Sequence, residues 1–384
     1  MNNFEFCCPT NVIFGKGTIS KLSTLIPKDK KILMTYGGGS IKKNGVYEQV
    51  KKALENHNVI EFGGIEPNPE YETLMKAVKI VKEENIDFLL SVGGGSTLDG
   101  TKFIAVAAKY TGDCAYDIVK KGIPLTESVE LGDVITLPAT GSEMNGGYVI
   151  SRRATGEKFA NSTQSAMPKF SIIDPEVTYS LPTKQTLNGI VDTFVHVMEQ
   201  YCTYDVNTPL QDGWALTILK TLTQEAPKVL ENPNDYETRA NIFWCATCGL
   251  NNWLSVGCVQ DWATHMIGHE LTAIYGIDHG QSLAIVMPRL LKNQIENKKD
   301  KLVKMAKEVF NYQNDDKNIS ANYAIDSIYK FFESIGVKMS LSDYNINADE
   351  AAIEIYNRFK ERGTILGERG IINADVAFEI VKNC

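Results

Sequence analysis

Histidine is scarce in this chain. Of its five copies, His196, His265, His269 and His279 fall in one stretch, and only His57 lies elsewhere. Asp192 precedes His196 by four positions in the apolar-periodic segment Ile190–Met198, which puts a carboxylate and an imidazole on one face of a helix, one turn apart. His265 and His269 repeat that spacing within Trp262–Leu271, and His279 follows in what reads as a loop, Gly276–Gly280. Oxygen and nitrogen donors of this kind suit zinc or ferrous iron, and the absence of thiolates from the set argues against a closed structural zinc site. Spacing alone leaves two readings level. Asp192, His196, His265 and His279 form an open shell for a divalent ion, or each histidine is an ordinary hydrogen-bonded core group.

Two glycine-rich turns offer different chemistry. Gly37-Gly-Gly-Ser40 and Gly93-Gly-Gly-Ser96 each follow an apolar run, and a turn from strand end to helix start presents bare backbone N–H groups and the positive end of a helix dipole to an anion. Neither continues as G-x-G-x-x-G, and no G-x-x-x-x-G-K-[ST] is present, so tight turns without a ligand fit equally well. The second turn is richer, because Ser96, Asp99 and Lys102 are placed to line a polar cleft. A third cluster, Thr136–Tyr148, carries more hydroxyls, glycines and amides than a connection needs, and polar loops at strand carboxyl ends are where open α/β sheets bind ligands.

The elements that must position these residues differ between the two halves. Before residue 180, apolar runs such as Lys31–Tyr36 and Asp87–Val92 alternate with amphipathic segments, which predicts βαβ units and a parallel sheet covered by helices on both faces. After it, 3.6-residue periodicity runs over Thr186–Tyr201, Leu210–Leu230 and Tyr236–Leu254, with Pro227, Pro233 and Pro288 as punctuation. The expected organisation is an α/β domain over 1–180 and a helical domain over 181–384, sharing a cleft.

Composition narrows the partners. The chain has 384 residues with 43% apolar and 22% charged side chains, an ordinary globular balance. Thirty-nine basic against forty-seven acidic residues give a formal charge of −8, which leaves no electrostatic footprint for nucleic acid or anionic lipid. No apolar run reaches bilayer-spanning length and the start lacks a leader pattern, so a cytoplasmic address with no membrane partner is expected. The eight scattered cysteines are then reduced thiols, and Cys245-Ala-Thr-Cys248, with no second pair, reads as structural.

Taken together, Phe14-Gly-Lys-Gly17, Tyr36-Gly-Gly-Gly-Ser40, Glu66-Pro-Asn-Pro69, Gly93-Gly-Gly-Ser96 with Asp99 and Lys102, Ala139-Thr-Gly-Ser-Glu143, and Asp192-x3-His196 with His265, His269 and His279 resemble the iron-containing (group III) alcohol dehydrogenases along essentially the whole chain. The phrases Asp261-Trp-Ala-Thr-His-Met266 and Phe62-Gly-Gly-Ile-Glu66 are most similar to the NADPH-dependent aldehyde reductases and butanol dehydrogenases of that family. The resemblance implies a dehydroquinate synthase-like fold: a dinucleotide-binding α/β domain, an all-α domain, and one divalent metal, Zn2+ or Fe2+, in the cleft between them. It implies Asp192, His196, His265 and His279 as metal ligands and His269 as a histidine near the substrate. It also implies Gly94, Gly95, Ser96 and Asp99 at the pyrophosphate, Asn68 among the cofactor contacts, and Thr136, Thr140, Asn145 and Lys158 at the nicotinamide half. A homodimer acting on small aldehydes or alcohols follows from the same resemblance.

Two departures concern the pocket. Ala115-Tyr116-Asp117 replaces a Pro-Trp-Asp common in relatives, and Gly147-Tyr148 differs beside the nicotinamide. Met144, Tyr148, Val149, Trp253 and Trp262 are candidate apolar walls. The cofactor is expected to be NADP(H). No acid follows the second strand to repel a 2'-phosphate, Lys42 and Lys43 are close by, and Gly38, Gly39 and Ser40 would surround that phosphate. An imidazole's ordinary pKa of about 6.5 suits His269 to proton exchange near neutral pH, or it only orients its neighbours. Rival readings are a metal-dependent lyase of the same fold, a glycerol dehydrogenase-like polyol enzyme, and a nucleotide-binding sensor without turnover. The lyase needs many basic groups to hold a polyhydroxy carboxylate, and 136–165 supplies only Arg152, Arg153 and Lys158.

Overall fold

In the computed structural model, which describes residues 1–384, the apolar runs of the first half become strands. They are β1 (Asn11–Phe14), β2 (Lys31–Tyr36), β3 (Asn58–Phe62), β4 (Phe88–Gly93), β5 (Glu130–Ile135), β6 (Gly147–Arg152), β7 (Glu157–Ser162) and β8 (Phe170–Ile173). Six of them form one sheet in the order β1-β8-β5-β4-β2-β3, parallel at every pairing. Side chains alternate across it. Leu33, Leu89 and Leu131 face one apolar core, whereas Ile32, Met34, Phe88 and Leu90 face another, and each fully buried side chain contributes about 1.5–3 kcal/mol. Between the strands lie α1 (Leu22–Leu25), α2 (Ser40–Lys43), α3 (Val46–Ala53), α4 (Tyr71–Glu83), α5 (Gly95–Lys109) and α6 (Asp117–Lys120). Helices α4 and α5 cover the first core, and α1 and α3 the second. The sheet is therefore covered on both faces, as continuous apolar strands require. β6 and β7 make a separate antiparallel hairpin, which the polar cluster at 136–148 did not announce.

The second half is helical: α7 (Thr183–Tyr201), α8 (Pro209–Glu231), α9 (Tyr236–Gly249), α10 (Ala263–Tyr275), α11 (His279–Asn293), α12 (Ile295–Glu308), α13 (Lys317–Ser334), α14 (Ala348–Arg362) and α15 (Ala374–Lys382). Three expectations need correction. Pro227 and Pro288 do not punctuate but lie inside α8 and α11, since a proline costs one backbone bond that surrounding packing can outweigh. Helix α9 stops at Gly249, short of Leu254. His279 is not in a loop; it is the first residue of α11. No helix is long and apolar enough to cross a membrane.

The chain divides into two compact units, Cys7–Pro182 with Asn234–Thr247, and Met1–Phe6 with Thr183–Pro233 and Cys248–Cys384. Within the second, α7 is the central helix, buried at nearly every position from Thr186 to Tyr201. The start of α11 is pressed against it. A Cβ on Gly280 would stand 2.5 Å from the Asn188 carbonyl oxygen, so only glycine permits this approach. Asn188 secures it by donating to Asp278 Oδ2 (3.0 Å) and accepting from Gln281 Nε2 (2.8 Å).

Within the first unit, Lys102 of α5 does not line a cleft. It is fully buried, and its Nζ donates to Ser142 O (2.6 Å), Ser142 Oγ (2.7 Å), Asn145 O (2.7 Å), Gly147 O (3.0 Å) and Asn145 Oδ1 (3.3 Å). Asp99, one turn earlier, accepts from Ser142 Oγ (2.8 Å) and the Val149 amide (3.1 Å). Burial pushes Asp99 up to about 6 and pulls Lys102 down to about 8, each opposed first by the charge of the other. Through these bonds the two side chains pin the loop between β5 and β6. Lys102→Met keeps the stem and deletes the charge, so it is expected to cost about 3–5 kcal/mol in denaturant unfolding; a loss below about 1 kcal/mol would contradict the pinning role.

Candidate active site

Helix α7 places Asp192 and His196 one turn apart, α10 supplies His265 and His269, and the start of α11 supplies His279. Asp192, His196 and His265 are buried, and the His279 side chain is 25% exposed, so the cluster opens on the His279 side. Three Nε2 atoms face a single carboxylate oxygen. His196, His265 and His279 stand 3.6, 3.6 and 3.4 Å from Asp192 Oδ1. Donor atoms around a tetrahedral ion with bonds of about 2.0–2.2 Å lie about 3.3–3.6 Å apart, which matches these separations. Asp192 Oδ1 and His265 Nε2 are buried with no hydrogen-bond partner in the protein. Buried polar atoms rarely stay so, and a cation between them would satisfy both. The donor atoms of Asp192, His265 and His279 lie within 4.8 Å of one another. His196 is next to that trio, its ring stacked on His265 at 4.5 Å. The residues therefore fit a divalent ion.

The charges of the cluster stabilise one another. Burial alone would push the Asp192 carboxyl up, but His196, His279 and His265 outweigh it and hold the group well below the usual carboxylate range. Burial would pull His265 down, and it is overcome by Glu199 and Asp192, which carry the imidazole up to about 9. A cation binding at Nε2 must displace that proton.

Glu199 was not singled out in the sequence. It lies three residues after His196 on the same helix face, and Asp192, His196 and Glu199 together form an i, i+4, i+7 stripe that would have revealed it. Its carboxylate accepts from the Thr264 amide (2.5 Å), the His265 amide (3.2 Å) and His265 Nδ1. It thus caps α10 and holds the His265 ring with Nε2 toward Asp192, the arrangement by which metal-binding imidazoles are usually oriented. His269 lies outside the donor set. Its ring is 5.2 Å from that of His279 and 6.3 Å from that of His265. His57 belongs to the other unit, where its Nε2 meets the Ile26 carbonyl at 3.0 Å.

The residues expected at a nucleotide gather in the first unit. β4 ends at Gly93 and α5 begins at Gly95, with Gly94 as N-cap, so the first amides of the helix, including those of Gly95 and Ser96, have no intrahelical partner. A Cβ on Gly95 would stand 2.6 Å from Thr140 Cγ2, so glycine lets this helix start close against Thr140. Ser96 Oγ accepts from the Asn68 amide at 3.3 Å, and Asn68 Oδ1 accepts from Lys158 Nζ at 2.9 Å. Thr136 follows β5 directly, its amide bonded to Gly93 O at 2.9 Å. Asn145 is buried and spoken for by Lys102, Gly147 and Gly141. Tyr148 proves to be no pocket wall. It is 1% exposed and packs in the core, 6.4 Å from the Phe103 ring.

At the other turn, the amide-rich Gly38-Gly39-Ser40 opens α2, with Gly39 at φ 98°. The sequence showed no acid there, but the parallel pairing of β2 with β3 brings up Glu61, 3.4 Å from Tyr36 Oη. That carboxylate is already taken by Tyr47 (2.9 Å) and Lys51 (3.0 Å). Lys42 Nζ lies 4.9 Å over both the Tyr36 and Tyr47 rings.

Comparison with known proteins finds two matching family profiles. One, described as iron-containing alcohol dehydrogenase, covers residues 9–175, and the other, described as the C-terminal part of the Fe-containing alcohol dehydrogenase family, covers residues 186–377. The chain is 49% identical to the NADPH-dependent aldehyde reductase YqhD of Escherichia coli, over 99% of both proteins. It is 36% identical to the NADH-dependent butanol dehydrogenase A of Clostridium acetobutylicum, over 100% of this chain and 99% of that one. The crystal structure of E. coli YqhD superimposes with a TM-score of 0.97 at 47% identity, covering 99% of this chain and 98% of that one.

Replacing Glu199 by Gln leaves one oxygen for three N–H donors. Metal affinity, measured by competition with a chelator, is expected to fall about 10- to 100-fold; unchanged affinity would show that the carboxylate does no more than cap α10.

Proposed function

The chain belongs to the iron-containing alcohol dehydrogenases, and from that membership we propose that it transfers hydride between NADP(H) and small aldehydes or primary alcohols. The observation that carries the reading is the convergence of His196, His265 and His279 on one oxygen of Asp192. A zinc or ferrous ion held by these four residues would supply Lewis-acid polarisation of the substrate carbonyl, and bound NADPH the hydride.

The protein's own groups do the remaining work. Asp192 contributes the single negative charge of the set, and Glu199 fixes the His265 tautomer. His269, beside His279, is proposed to pass a proton toward the product oxygen or to hold the substrate's environment in place. Gly94, Gly95, Ser96 and Asp99 are proposed at the pyrophosphate. For Gly94, Gly95 and Ser96 the free amides and dipole of the α5 start support this. Asn68 is proposed among the cofactor contacts, and Thr136, Thr140, Asn145 and Lys158 around the nicotinamide half. The preference for NADP(H) is supported by the absence of an acid from the Gly38-Gly39-Ser40 turn and by the engagement of Glu61, on the strand paired with β2, by Tyr47 and Lys51. The proposal extends to a cytoplasmic, dimeric enzyme of small molecules, the dimer resting on family resemblance.

Purified, metal-loaded protein given NADPH and butanal is expected to consume the reduced-nicotinamide absorbance. Its kcat/KM should be at least tenfold higher with NADPH than with NADH. Asp192→Ala or His265→Ala should abolish turnover and metal retention while NADPH affinity changes less than about threefold. No absorbance change with any aldehyde would favour a lyase or a sensor, and faster turnover with NADH at equal low concentration would overturn the cofactor assignment.

A further inference from the structure

Seven residues other than glycine have positive φ, and six of them are asparagines, the side chain that tolerates this conformation best. The seventh is Trp262, at φ 66° and ψ 4°, the N-cap of α10 three residues before His265. A bulky side chain in the left-handed region is disfavoured and persists only where the surroundings over-determine it.

The surroundings do so on both sides. The Asp261 amide donates to Glu199 O at 2.9 Å, and Asp261 Oδ1 accepts from the Ala263 amide at 2.8 Å. Asp261 Oδ2 accepts from buried Lys298 Nζ at 2.5 Å, and that ammonium also bonds Cys202 O (2.7 Å) and Glu368 Oε2 (3.1 Å). The Thr264 amide is held by Glu199. Residues 261, 263 and 264 are thus fixed, and the one between them has no freedom to relax.

What this achieves is the position of the indole. Its ring stands edge-on to two imidazoles of the proposed metal site, 5.3 Å from His265 and 6.1 Å from His196. Its Nε1 donates to Gln260 Oε1 at 2.6 Å, at the surface. The side chain, half-buried, therefore runs from the ligand cluster to solvent.

We propose that Trp262 is the wall that closes the His196–His265 flank of the metal site, kept in place by the strained backbone, and that on this flank it restricts both solvent-borne ligands and the width of the aldehyde. This rests on the reading of Asp192 and the three histidines as a metal site. Because the wall stands beside His196 and His265, removing it opens the buried flank of the cluster, opposite in character to the exposed His279 side.

The test uses Trp262→Gly and Trp262→Asn, both suited to φ 66°, and Trp262→Phe, which keeps a ring at the same backbone. All are compared as full-length, metal-loaded protein with folding checked by thermal denaturation. Metal release to excess EDTA is expected to be at least tenfold faster in the Gly and Asn variants and within threefold of the parent in the Phe variant. The ratio of kcat/KM for benzaldehyde over butanal is expected to rise at least tenfold in the Gly and Asn variants. Release rates within twofold of the parent in both small variants would overturn the inference. So would an unchanged substrate ratio in an active enzyme. A parent that reduces no aldehyde would sink the proposed function alone, leaving the release rates to decide on Trp262.

Discussion

A buried carboxylate oxygen that faces three imidazole nitrogens and bonds none of them as a hydrogen-bond acceptor is the constraint around which the helical unit is built. An isolated charge in such a place is costly, and the cost falls only when an opposite charge joins it. Everything nearby serves that geometry. Helix α7 sets Asp192 and His196 by simple periodicity, Glu199 on the same helix fixes where α10 starts, and Gly280 with Asn188 fixes where α11 starts. An ion binding here would couple three helices at once, so metal affinity and the stability of this unit are linked.

The α/β unit solves a different problem by different means. Its candidate ligand groups are backbone amides at helix starts, which need placement rather than charge. Lys102 and Asp99 supply that placement from inside, a buried pair whose bonds go almost wholly to the 142–149 segment. The strain stored at Trp262, of order 1–3 kcal/mol, is a comparable investment in the helical unit, held by the Asp261 and Lys298 contacts.

Much of this was legible in residue pattern. Continuous apolar runs and period-3.6 apolarity pointed to the parallel sheet and the long helices, and the Asp192 to His196 spacing to the heart of the site. The illegible parts share a cause. Helical spacing puts Glu199 on the face of Asp192 and His196, but its role depends on α10 beginning beside it, which no local pattern reports. His279 opens a helix because Gly280 allows close contact with α7, a tertiary fact. Pro288 sits within α11 because packing outweighs one lost backbone bond. Glu61 reaches Tyr36 through strand pairing rather than along the chain, and Trp262 adopts a conformation its own type disfavours. Tyr148 looked like a pocket wall by sequence position, but the β6–β7 hairpin turns it into the core.

Which atoms hold the ion is read directly by X-ray absorption of the metal-loaded protein. One ion per chain is expected, with three imidazole nitrogens and a carboxylate oxygen at about 2.0–2.2 Å, and with one imidazole lost from the sphere in His265→Ala. A sphere containing sulfur, or one made of solvent oxygens alone, would contradict this assignment.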